Sequence, residues 1–179
     1  MEGIFLMTPT DNDSLAQDYD RAAALRWQPL AALLTARGWM LATAESCTGG
    51  LIAAGCTALA GSSNWFERGF VSYSNDAKNG LLGVDPALIS AHGAVSGEVA
   101  GAMAAGALAN SKAQVAVAVT GVAGPGGGSE TKPVGTVWFG FALPDGRVLA
   151  ERERFQGDRA AVRAATVAHA RSRLEQLLA

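Results

Sequence analysis

Residues that hold metals or cross-link chains are scarce in this sequence of 179 residues: it has two cysteines and two histidines. Cys47 and Cys56 have neither zinc-ligand spacing nor a disulfide framework, which fits a reducing cytoplasm. His92 and His169 form no H-E-x-x-H pattern, so no metal site is expected. Charge is sparse too, at 17% of residues with a net charge of −2 and no basic block. A dedicated nucleic-acid binder needs phosphate-neutralising cations, so no nucleic-acid partner is expected. No apolar run reaches the roughly 20 residues that span a bilayer, which excludes a membrane helix. The N-terminus, "MEGIFLMTPTDNDSLAQDYD", lacks the basic flank of a secretory signal. Neither G-x-G-x-x-G nor G-x-x-x-x-G-K-[ST] occurs, so neither dinucleotide nor P-loop binding is supported.

What is present is a core. Hydrophobic residues make up 49% of the chain, enough for one globular domain of this length. Residues 1–19 are expected to be a disordered extension and residues 20–179 the domain. "DRAAALRWQPLAALLTARG" spaces leucines helically and stops at Gly38, with Pro29 kinking the helix or marking its start. "WMLAT" predicts a strand, and "TGGLIAAGCTALA" a helix opening near Thr48. "ERGFVSYSN" has strand character, and "DAKNGLLG" predicts one or two helical turns. "DPALISAHG" predicts a helix capped by Asp85. "SGEVAGAMAAGALANS" predicts a helix whose small residues allow close approach. "AQVAVAVTG" carries no charge, as a strand covered on both faces should. A hairpin from "VGTVWFGFAL" to "RVLAERERF" and a final helix capped by Asp158 complete a single α/β domain with a mixed sheet.

Two strands empty into unusual turns. One is "AESCTGG", Ala44 to Gly50; the other is "TGVAGPGGGSETKP", from Thr120. Ligands of open α/β sheets sit outside the carboxyl ends of strands, where amides unused by the ladder can meet an anion. Ser46, just before a helix start, is either a nucleophile or a capping residue. Cys47 is the rival nucleophile or a small buried residue. A serine nucleophile needs a base: His92 in a helix-ending turn, or Lys78 if burial lowers its pKa, with Tyr73 to relay or orient. Arg159 and Arg163 lie one turn apart at a helix N-terminus, as a phosphate-ester site or as ordinary surface charge.

The segments "TAESCTGG", "GSSNWFERGFVSYSNDAK", "GAVS", "GVAGPGGGSETKPVGTVWF" and "GDRAAVR" together resemble the stand-alone CinA C-terminal-domain family, the PncC-type nicotinamide-nucleotide amidohydrolases, from about Leu30 to Leu178. The resemblance implies a three-layer α/β/α sandwich that assembles as a homodimer. It implies hydrolysis of nicotinamide mononucleotide to nicotinate mononucleotide and ammonia in pyridine-nucleotide (NAD) salvage, with neither metal nor redox cofactor. By motif match, Ser46 is the nucleophile, Lys78 its base, and Tyr73 assists proton transfer. Thr48 and Gly49 belong to the nucleophile motif, and Glu45 orients that turn at the substrate site. Thr120 and Gly121 would line the amide end or the phosphate, and Arg159 and Arg163 would hold the phosphate. The glycines at 49 and 50 would admit the substrate close to the backbone. A different class of function stays open: a non-catalytic nucleotide- or partner-binding domain of the competence-protein type. So does an amidohydrolase acting on another small amide. Trp65, Phe66 and Trp138 are candidates for a ring pocket or for the core.

Overall fold

A computed structural model describes the backbone of residues 11–179 and the side chains from residue 24 onward. The first half of the expected extension, residues 1–10, lies outside the described residues. Helix α1 spans Asp11–Arg37, so it starts ahead of the expected domain boundary, and Pro29 sits inside it. The remaining elements in chain order are β1 (Leu41–Glu45), α2 (Leu51–Thr57), β2 (Phe66–Val71), α3 (Asn75–Leu82), α4 (Pro86–His92), α5 (Gly97–Ala109), β3 (Val115–Gly121), β4 (Thr136–Ala142), β5 (Val148–Arg154) and α6 (Arg159–Leu178). A 3₁₀ turn, Ser62–Asn64, precedes β2.

The five strands form one mixed sheet in the order β2-β1-β3-β4-β5. Strand β1 is parallel to both β2 and β3, and β4 and β5 are added antiparallel. Helices cover both faces, giving three α/β/α layers. Strands β1 and β3 are central, which is why "LATAE" and "VAVAVT" are buried along their whole length. The edge strand β5 instead alternates exposed and half-buried residues, with one face against the protein.

The two faces of the sheet are built differently. Val115, Val117, Val119, Val137, Phe139 and Phe141 point toward α1, α2 and α6 and meet Trp27, Leu30, Leu34 and Leu174. Their neighbours Ala42, Ala44, Ala116 and Ala118 point the other way, toward α5 with Val99, Met103 and Ala107. Small residues on both sides let α5 lie close to the sheet: a Cβ at Gly140 would come within 2.1 Å of the Ala100 carbonyl oxygen. Helix α6 presents Val162, Thr166, Ala170, Leu174 and Leu178, a strict four-residue spacing, as its buried stripe. Arg173 locks it to β5 through an ion pair with Glu151 at 2.6 Å.

Asp85 and Asp158 cap α4 and α6 as expected, accepting from the amides of Ala87 and Ala161. Among the described residues no helix is long and apolar enough to cross a membrane. The carboxyl ends of the three mutually parallel strands β2, β1 and β3 lie side by side. Strand β1 has β2 on one side and β3 on the other, so the chain crosses from one side of β1 to the other and this edge is a topological switch point.

Candidate active site

The nucleophile turn leaves the end of β1. The Ser46 amide still donates to the Val119 carbonyl at 3.0 Å, so the sheet holds Ser46 rigidly, and the Gly49 amide closes a turn onto the Ser46 carbonyl. Helix α2 begins at Leu51, three residues later than Thr48, because Gly49 and Gly50 adopt φ values of 62° and 101°. That left-handed conformation by itself calls for glycine at both positions.

The N-terminus of α2 is occupied. The Glu45 carboxylate accepts from the amides of Gly50 (3.0 Å), Ile52 (3.0 Å) and Ala53 (2.8 Å) and from the Thr48 hydroxyl (2.6 Å). Glu45 and Thr48 are both buried. Three amides at the start of α2 are engaged by the protein's own anion. Glu45 thus orients the turn from beneath. Among the described residues, the amides of Cys47 and Thr48 donate to no oxygen.

Lys78 reaches this turn from α3, which is capped by Ser74 through the Ala77 amide. The lysine is 1% exposed. Its Nζ lies 3.1 Å from Ser46 Oγ, 3.0 Å from the Ser72 carbonyl and 3.4 Å from the Tyr73 carbonyl. Among the described residues no carboxylate pairs with it, and Glu45 is spent on the helix amides. Burial therefore pushes the amine below the ordinary lysine value. The Lys78 amine donates to the Ser46 hydroxyl and to the two carbonyls, so its donors are matched by three oxygens.

Cys47 behaves oppositely. It is buried, and burial pushes its thiol up to about 11, so it remains a protonated packing residue. His92 ends α4 beside Glu98, with Nδ1 3.3 Å from Oε1, and its carbonyl accepts from Lys132. It has no described contact with Ser46.

Around this pair the remaining candidates divide into rim and frame. Tyr73 is 60% exposed, and its hydroxyl accepts from Arg159 at 3.2 Å. Arg159 also donates to the Gly124 carbonyl, and Arg163 to the Thr48 carbonyl at 2.8 Å. Both arginines line a cleft of about 510 Å³ with Ala123, Gly124, Pro125, Val134, Gly157, Asp158 and Ala160. Thr120 does not line it: its side chain is buried and donates to the Ala94 carbonyl, tying β3 to the "GAVS" segment. Gly121 is paired with Val137 inside the ladder, where a Cβ would come within 2.7 Å of the Thr136 carbonyl. Trp65 belongs to the core, Phe66 packs against it, and Trp138 lies under Arg152 on the sheet. Among the described residues no three His, Cys, Asp or Glu side chains are grouped to hold a metal.

Two functional contacts escape sequence reasoning, the carbonyls of Ser72 and Gly124. Each acts through a backbone atom, which leaves no residue-type signal. The Ser72 hydroxyl is buried without a partner among the described residues.

The family model described as the CinA C-terminal domain matches residues 26–178. A protein of Enterobacter agglomerans named nicotinamide-nucleotide amidohydrolase PncC is 59% identical over 134 residues, covering 75% of this chain and 82% of that protein. Its namesake in Escherichia coli strain K12 is 54% identical over 143 residues, covering 80% and 87% respectively. Among solved structures, the competence/damage inducible protein CihA of Agrobacterium tumefaciens superposes with a TM-score of 0.84 at 43% identity, covering 97% of this chain and 99% of that one.

Proposed function

The chain belongs to the CinA C-terminal domain family, and from that membership and the buried Ser46–Lys78 contact we propose that it is a nicotinamide-nucleotide amidohydrolase. It hydrolyses the carboxamide of nicotinamide mononucleotide to nicotinate mononucleotide and ammonia, a salvage step for pyridine nucleotides. The single observation that carries a catalytic reading over a binding module is Lys78. A lysine buried without a counter-ion is costly to maintain, and here its amine is aimed at a hydroxyl.

In this reading neutral Lys78 removes the Ser46 proton as Oγ attacks the amide carbon. Charge develops on the carbonyl oxygen, and the free amides of Cys47 and Thr48 are the donors left in the turn to meet it. The tetrahedral intermediate collapses as the C–N bond breaks, and Lys78 returns its proton to the leaving nitrogen, which departs as ammonia. Water, deprotonated by Lys78, then attacks the ester on Ser46 and releases the carboxylate and the free hydroxyl. Tyr73 and Arg159 form the rim through which the nucleotide enters, and the arginine-lined cleft takes the phosphate. Every step uses groups of this chain alone. The two free, buried cysteines support a cytoplasmic setting, and the family membership supports a homodimer.

The test is ammonia release by the purified protein from nicotinamide mononucleotide, nicotinamide riboside and nicotinamide. Turnover of the phosphorylated compound in preference to the other two is expected. A folded protein that releases ammonia from none of them returns the reading to a binding module.

A further inference from the structure

Arg159 and Arg163 look equivalent in sequence, one turn apart on α6, but their contacts differ in kind. Arg159 reaches the rim, at the Tyr73 hydroxyl and the Gly124 carbonyl. Arg163 reaches inward across 115 residues of sequence to the Thr48 carbonyl at 2.8 Å. Thr48 lies two residues from Ser46 in the turn that sets the nucleophile. Its hydroxyl is held by Glu45, so the guanidinium holds the opposite, carbonyl side of the same residue. Arg163 Nη2 also lies 3.9 Å from where a Cβ on Gly49 would sit. The same side chain lines the cleft, and its Nε is buried with no hydrogen-bond partner among the described residues. A buried guanidinium N–H left unpaired is costly, and a ligand that accepts from it removes that cost.

We infer that Arg163 is a positioning residue that couples occupancy of the cleft by an anionic group to the alignment of Ser46, so that a phosphorylated amide is favoured in turnover as well as in binding. The phosphoryl group accepts from the guanidinium where it lines the cleft and fixes it. The fixed guanidinium holds the Thr48 carbonyl, and the turn then presents Ser46 Oγ to Lys78. This rests on the amidohydrolase reading for the identity of the substrate, but not for the link between Arg163 and Ser46.

Two measurements separate these. The first, which needs no substrate, is the rate at which a fluorophosphonate labels Ser46, followed by intact mass with and without inorganic phosphate, which should speed labelling of the wild type. Arg163→Ala should slow labelling by about 100-fold, the effect of a displaced reacting atom. Arg163→Lys, which retains one donor for the Thr48 carbonyl, should recover part of it, and added guanidinium ion should partly rescue Arg163→Ala. Arg171→Ala, two turns further along α6 and paired with Glu175, should label like the wild type. The second is steady-state hydrolysis of nicotinamide mononucleotide, in which Arg163→Ala should lower kcat and not only raise KM. Labelling of folded Arg163→Ala at the wild-type rate overturns the inference whatever the substrate. So does a loss that neither lysine nor guanidinium reverses. Slowed labelling with no hydrolysis even by the wild type keeps the positioning role and rejects the substrate.

Discussion

The ends of β1 and β3 are neighbours in the sheet, yet the chain leaves them in opposite styles. After β1 the turn is buried and saturated: Glu45 gathers three amides and a hydroxyl, and the Ser46 amide is tied to β3. After β3 the loop is held by the Val122 and Gly135 amides at its base, by Arg159 at the Gly124 carbonyl, and through Lys132 to the His92 carbonyl. Gly126, Gly127 and Gly128 at its tip are exposed. On the proposed reading the difference teaches where pre-organisation is needed: the Ser46 turn is held by a network that gains nothing by moving, whereas the wall proposed to receive the substrate is left open.

The comparison breaks first at the dyad. Ser46→Ala and Lys78→Met should each lower kcat on the order of 10⁴-fold or more while nucleotide binding persists, measured by turnover and calorimetry. Loss of binding with residual chemistry intact would reverse the proposed division between the two turns. The lowered Lys78 pKa adds a pH signature. Activity should fall on the acid side through a group titrating below the ordinary lysine range, visible in the kcat/KM profile. The same shift means the unfolded chain keeps the Lys78 proton to higher pH than the folded one. Its contribution to stability therefore rises with pH between the lowered and the ordinary value, and Lys78→Met should abolish that slope in urea titrations.

Glu45→Ala tests the saturated turn itself. It strands the Gly50, Ile52 and Ala53 amides at the start of α2, and should cost about 3 kcal/mol in urea unfolding. A cost near zero would show that the network does not hold the turn. On the open side effects should be smaller. Arg159→Ala should raise KM for the nucleotide about 10-fold with kcat little changed, since it sits on the rim. Lys132→Ala, which frees the loop from α4, should change kcat/KM by no more than about 2-fold, in line with an exposed contact.

Legibility from sequence followed the same division. Element types were readable because the apolar spacing changes along the chain, from uninterrupted in β3 to four-residue steps in α6. The start of α2 was misplaced because Thr48 is a good cap by type, and only the conformations of Gly49 and Gly50 delay the helix to Leu51. Thr120 and Gly121 were legible as the end of a strand but not as frame rather than lining, because which way a threonine faces is set by the strand register.

What the sequence determined by itself is local. It holds the uninterrupted apolar runs that make β1 and β3 central, the caps at Asp85 and Asp158, and the residue types able to attack, accept a proton and bind phosphate. The tertiary structure decided which of those types act together. Lys78 lies 32 residues from Ser46, and Arg163 lies 115 from Thr48. Their roles depend on contacts and burial that exist only once α3 and α6 have packed against the sheet. A lysine becomes a candidate base by losing water, and a local stretch of sequence does not specify how much water its folded neighbours will exclude.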